Sequence, residues 1–102
     1  MPQTPYNQPV GLSYKNISTQ TTTVVKASAG YLDRIILNGF TAGAVVTLYD
    51  NASAASGTTI AAWTVASGDA APAAAIVYNV KFANGLTILT ATQNCNITVV
   101  YN

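Results

Sequence analysis

The sequence predicts an all-β fold: an antiparallel β-sandwich of about eight strands, wired as a jelly roll or an immunoglobulin-like Greek key, with an extended N-terminal arm. Three observations carry this expectation. From Leu12 onward, short β-branched and aromatic runs recur, separated by Gly, Asn, Ser or Asp. Several of these runs alternate apolar and polar residues with a period of two. No segment joins helix caps to a 3.6-residue apolar stripe; the alanine-rich stretches at 52–55 and 70–75 are broken by Ser53 and Pro72.

Taken in order, residues 1–11 carry Pro2, Pro5 and Pro9, which lack the N–H that a ladder needs. That stretch reads as the arm, and residues 12–102 read as the domain. Strands are expected over 12–18, 21–27, 31–38, 44–49, 58–65, 74–82, 86–90 and 96–101. Punctuation falls at Ala29-Gly30, Asn38-Gly39, Gly43, Asp50-Asn51, Ser67-Gly68-Asp69, Asn84-Gly85 and Gln93-Asn94. Asn-Gly tolerates positive φ, so Asn84-Gly85 is expected to join two antiparallel strands in a tight hairpin.

Within the strands, Ile76, Tyr78, Val80 and Phe82 fall on one face, against Val77, Asn79 and Lys81. Cys95, Ile97, Val99 and Tyr101 repeat the pattern against Asn96, Thr98 and Val100, and Val46 and Leu48 oppose Thr47 and Tyr49. Ile35-Ile36-Leu37 breaks the alternation, so the third strand is either covered on both faces or bulged near Asp33-Arg34. Cys95 has no partner for a disulfide and reads as a small inward-facing hydrophobe.

Composition bounds the function. A chain of 102 residues makes one domain, and 50% of it is hydrophobic while only 7% is charged, against about 25% in ordinary soluble domains. Uncharged Thr, Ser, Asn and Gln must supply the polar surface, and they set up no field that keeps molecules apart. Lys15, Lys26, Arg34 and Lys81 form no run or stripe, which argues against nucleic acid as a partner. The apolar stretch at 70–77 is short and holds Pro72, which argues against a membrane span. The first nine residues have no basic start and no hydrophobic run of the secretory kind, so the product is expected to stay where it is made or to leave within a particle.

The chemistry is equally spare. With no His and one Cys, the common zinc sites and the Ser-His-Asp and Cys-His devices cannot be built, and no cofactor is expected. A glycosidase pair would have to come from Asp33, Asp50 and Asp69, because there is no Glu. Each aspartate has a plainer role: Asp33 as an ion pair or turn contact beside Arg34, Asp50 and Asp69 as acceptors at turns. Calcium at Asp50-Asn51-Ala52-Ser53 is conceivable, but one carboxylate is thin for it. The N-glycosylation triplets at Asn16, Asn51 and Asn96 arise readily by chance in so Asn- and Thr-rich a chain. Tyr6, Tyr14, Tyr31, Tyr49 or Trp63 could stack on sugars, although aromatic core and interface packing is the plainer reading. Tyr49, Val77, Val100 and one of Trp63 or Val65 cannot all enter one core, and with so little charge their burial against other subunits is expected.

Five segments carry a resemblance: Lys26-Ala-Ser-Ala-Gly30-Tyr-Leu-Asp-Arg-Ile-Ile-Leu-Asn38, Val46-Thr-Leu-Tyr-Asp-Asn-Ala-Ser-Ala54, Ser56-Gly57-Thr58, Tyr78-Asn-Val-Lys-Phe-Ala-Asn-Gly-Leu86 and Ile97-Thr-Val-Val-Tyr101. In this order they resemble small virion structural proteins of tailed bacteriophages, over about residues 24–101. The resemblance implies a β-sandwich on the capsid exterior, made in the host cytoplasm: a capsid decoration (cement) protein, commonly a homotrimer bound to the major capsid protein, with no catalytic residues. Expected oligomer or capsid contacts, read from exposed apolar character, are Tyr6, Val10, Tyr14, Tyr49 and Trp63. The alternatives are a tail, fibre or spike module that recognises host-surface carbohydrate, and a secreted carbohydrate-binding or adhesion domain.

Overall fold

A computed structural model describes residues 12–65 and 74–102. The strands are β1 (Ser13–Ile17), β2 (Thr21–Lys26), β3 (Gly30–Phe40), β4 (Val45–Asp50), β5 (Thr58–Thr64), β6 (Ala74–Phe82), β7 (Leu86–Ala91) and β8 (Cys95–Tyr101). They form two four-stranded sheets, sheet I in the order β1-β8-β3-β6 and sheet II in the order β2-β7-β4-β5. All of these pairs are antiparallel. The arm expected over residues 1–11 lies outside the described residues.

The pairing decides between the two wirings that the sequence left open. First pairs with last, β1 with β8, then β2 with β7, β3 with β6 and β4 with β5. The chain is therefore one long hairpin rolled into two layers, with the β3–β8 and β4–β7 ladders completing each sheet. That is the jelly-roll arrangement.

Period-two patterning sets what is buried. Leu48, Ile88, Ile97, Val99 and Val46 are fully enclosed between the sheets, and each such side chain contributes roughly 1.5–3 kcal/mol. In β3 the expected bulge is present: the register shifts between Leu32 and Arg34 against both neighbours. This resets the parity, so Leu32, Ile35 and Leu37 all reach the core. Arg34 Nε donates to Asp33 Oδ2 at the bulge, 2.6 Å away. Cys95 is buried, and burial pushes its thiol pKa up, as expected of an inert packing residue.

Two turn expectations are corrected. Asn84-Gly85 does not close a hairpin, because β6 belongs to sheet I and β7 to sheet II. Residues 83–85 instead cross between the layers, and Gly85 is needed for close approach: a Cβ there would lie 2.6 Å from Ala52 Cα and 2.7 Å from the Lys26 carbonyl oxygen. Asn38-Gly39 does not end β3; it forms a second irregularity within the strand, between Leu37 and Gly39. Gly43 does mark a turn: Ala44 N–H donates to Thr41 O at 3.1 Å, and Gly43 takes the φ of +93° that glycine tolerates.

Candidate functional site

The sandwich has two unlike ends. One carries the β2–β3, β4–β5 and β6–β7 connections; the other carries β1–β2, β3–β4 and β7–β8.

At the first end the Asp50 carboxylate accepts three backbone N–H groups of the crossover, from Ala83 (3.0 Å), Asn84 (2.8 Å) and Gly85 (3.3 Å). The bonds from Ala83 and then Asn84 hold its pKa below the ordinary value. Asn51 Oδ1 accepts from the Ser53 and Ala54 N–H groups, both at 2.8 Å, and the buried Thr87 hydroxyl donates to Asn51 O. Of the oxygens that made calcium conceivable, the Asp50 carboxylate and Asn51 Oδ1 are thus engaged by N–H donors. Two segments distant in sequence, Tyr49-Asp-Asn-Ala-Ser53 and Phe82-Ala-Asn-Gly85, meet here and are tied by these bonds.

At the other end the outer face of sheet I bears a cluster of amides. Asn16 Nδ2 donates to Asn96 Oδ1 at 2.7 Å and to the Ile97 carbonyl at 3.0 Å. Asn38 Nδ2 donates to Thr98 Oγ1 at 2.9 Å and to Asn96 Oδ1 at 3.2 Å. β1, β8 and β3 lie side by side, and their outward parity places these side chains in one patch. Beside it is a shallow depression of about 280 Å³, lined by Ser18, Gly39, Thr41, Asn94, Cys95 and Asn96. The β7–β8 turn at its rim is a tight γ-turn: Gln93 N–H donates to Ala91 O at 2.8 Å, with Thr92 at φ +74°. That conformation is strained for a β-branched residue.

Sequence reasoning passed over this patch. The signal was present in the triplets at Asn16 and Asn96, because an Asn-x-Ser/Thr triplet within a strand places both polar residues on one face. What the sequence could not give was the pairing that joins Asn16 and Asn96 across 80 residues.

The expected contact residues separate. Tyr14 is 75% exposed on the outer face of sheet I, in a cross-strand row with Val100, Arg34 and Val77. Tyr49 is half-buried on the outer face of sheet II. Tyr6 and Val10 lie outside the described residues, as does Asp69. Trp63 and Val65, considered as outward candidates, turn inward: Val65 is buried and Trp63 packs against the core opposite Val46. The cause is a register shift between Leu48 and Tyr49 in the β4–β5 ladder, which absorbs Ile60 and resets the parity of β5. The Trp63 indole N–H is buried without a hydrogen bond. Tyr78 lies near enough for that N–H to favour its phenolate, but burial has the larger effect and raises the phenol pKa.

The outer face of sheet II differs in kind. Its rows read Val24–Thr87–Tyr49–Thr59, Thr22–Leu89–Thr47–Ala62 and Ala91–Val45–Thr64, with no charged side chain among them.

No family model, no curated protein and no solved structure matches the chain.

Proposed function

We propose that this chain is a structural subunit rather than an enzyme: a phage virion protein of the capsid decoration type, acting as a homotrimer bound to the major capsid protein. The observation that supports this reading is the uncharged outer face of sheet II. A sheet face of Thr, Val, Ala, Leu and Tyr has few strongly hydrated groups to strip, so covering it with another protein carries little desolvation penalty. Tyr49 stands at the closed-end edge of that face, flanked by Thr87 and Thr59, and supplies an amphipathic anchor. The jelly-roll wiring is compatible, since this architecture is used in capsid proteins, although fold alone does not assign function. The order of the phage-like motifs supports the virion setting. Residues 1–11 would serve as a proline-bearing arm reaching a neighbouring subunit.

Thr47→Lys places a charge at the centre of the face, and Val77→Lys places the same charge on sheet I. Sedimentation equilibrium is expected to show a trimer for the parent chain and for Val77→Lys, and a monomer for Thr47→Lys. Co-sedimentation with shells of the major capsid protein is expected to follow the same pattern. A parent chain that stays monomeric at high concentration and ignores such shells would overturn the reading.

A further inference from the structure

We infer that the amide cluster and depression at the open end of sheet I form a binding site for a neutral carbohydrate. The site would be assembled from Asn16, Asn38, Asn96 and Thr98 as hydrogen-bonding groups, with Tyr14 as a stacking surface and the hollow at Gly39 as the seat of one ring. This goes beyond the structural role above and uses the opposite sheet.

Hydrogen-bond accounting gives the chemical class. Within the cluster, Asn96 Oδ1 and Thr98 Oγ1 each accept from both Asn16 and Asn38, the Asn16–Thr98 bond being long at 3.4 Å. The Asn16 and Asn38 amide oxygens remain available to accept, and Asn96 Nδ2 and the Thr98 hydroxyl remain available to donate. The patch therefore offers donors and acceptors intermixed, with no charge in it. The nearest cation on the face, Arg34, is already paired with Asp33. Anions would find no counter-charge, and an apolar ligand would leave these groups unpaired. Vicinal sugar hydroxyls, each both donor and acceptor, fit this arrangement. The mutual bonds also hold the amides in place, so little side-chain freedom is lost when a ligand lands.

Two further observations point to a ligand. Tyr14 lies two residues before Asn16 on the same face of β1, about 7 Å along the strand, and three-quarters of it is exposed. An exposed ring at that spacing can cover the apolar face of a pyranose whose hydroxyls meet the amides. The second is Gly39. Its φ is not positive, and a Cβ there would meet none of the described residues within 4 Å. Neither backbone conformation nor crowding requires glycine, and what the missing side chain provides is the hollow itself. The hollow, about 280 Å³, is shallow and open to solvent, so it would seat one face of a ring rather than enclose it. The strained turn at Thr92 holds Asn94 at its rim, and backbone strain of this kind gathers at functional positions.

The test uses the full chain, labelled with ¹⁵N. It is screened on an array of neutral gluco-, manno- and galacto-oligosaccharides beside sialylated and sulfated ones, then titrated with the best neutral member. Binding is expected to a neutral member, with the side-chain amide signals of Asn16, Asn38 and Asn96 shifting together. Asn96→Ala and Gly39→Leu should each weaken it about tenfold. Gly39→Leu keeps the test sound if Asn96→Ala perturbs the sheet, because its side chain enters open space. Ser28→Lys, exposed in the β2–β3 connection at the closed end and outside both faces, should leave binding unchanged. Absence of neutral binding at millimolar sugar, preference for the anionic glycans, or affinity that survives both Gly39→Leu and Asn96→Ala would overturn the inference.

Discussion

At the end of the sandwich where β6 crosses to β7, Gly85 is wedged against Ala52 and the Lys26 carbonyl, and three backbone N–H groups converge on Asp50. At the opposite end Gly39 faces open space, and four polar side chains keep hydrogen-bonding capacity beyond what they use on one another. The same two sheets and one core thus finish in a closed end and an open one. The closed end turns its polar groups on its own backbone and ties the layers together. The open end holds its groups in place without exhausting them, as a recognition surface requires.

The largest expected effect comes from reversing the roles of the two glycines. Gly85→Ala should lower stability by about 2–4 kcal/mol, because backbone atoms on both sides must move. Gly39→Ala should stay within about 0.5 kcal/mol of the parent. Urea unfolding of the two variants checks this, and equal midpoints would erase the distinction between the ends.

Next is Thr90, buried on the inner face of sheet II, whose hydroxyl donates to Thr19 O at 2.6 Å and accepts from Thr21 N–H at 3.0 Å. Thr90→Val keeps the shape and strands both partners, at a cost of about 1–3 kcal/mol. This would show that the open end is firmly anchored at its base even though its surface is unfilled.

Smaller and opposite in sign is Thr92→Gly. Relief of the positive-φ strain, less the added entropy of an unfolded glycine, should stabilise the fold by about 1 kcal/mol. Thermal unfolding would read it as a higher Tm. A lower Tm would mean that the turn is not a reservoir of strain.

The last difference vanishes on acidification. Asp50 titrates below its ordinary 3.8 in the folded chain, so its contribution is complete above that value and is lost as pH falls through the folded one. Asp50→Asn should therefore unfold at lower urea than the parent at pH 7, with the two midpoints converging as acidification below 3.8 protonates the carboxylate. A gap that stays constant with pH would remove the carboxylate clamp from the account of the closed end.

Much of this was legible in the chain itself. Strand positions follow from period-two patterning and differ from expectation by a residue or two, and the bulge at Asp33-Arg34 follows from the consecutive Ile35-Ile36-Leu37. Asp33 and Asp50 were legible as a partner of Arg34 and an acceptor at a turn, but Asp50's partners lie more than 30 residues away. Trp63, expected as a contact, packs in part against the core, because a bulge on β5 changes the parity that local alternation sets.

Alternation and composition are local properties, so the chain alone already specified an eight-stranded β protein, the two faces of β4, β6 and β8, and a scarcity of charge. Only the tertiary structure decided that Asn84-Gly85 would cross between layers, that first would pair with last, and that Asn16, Asn38 and Asn96 would come together. Those outcomes depend on which strands become neighbours, which is settled by burying every inward face at once in two layers rather than by any residue alone.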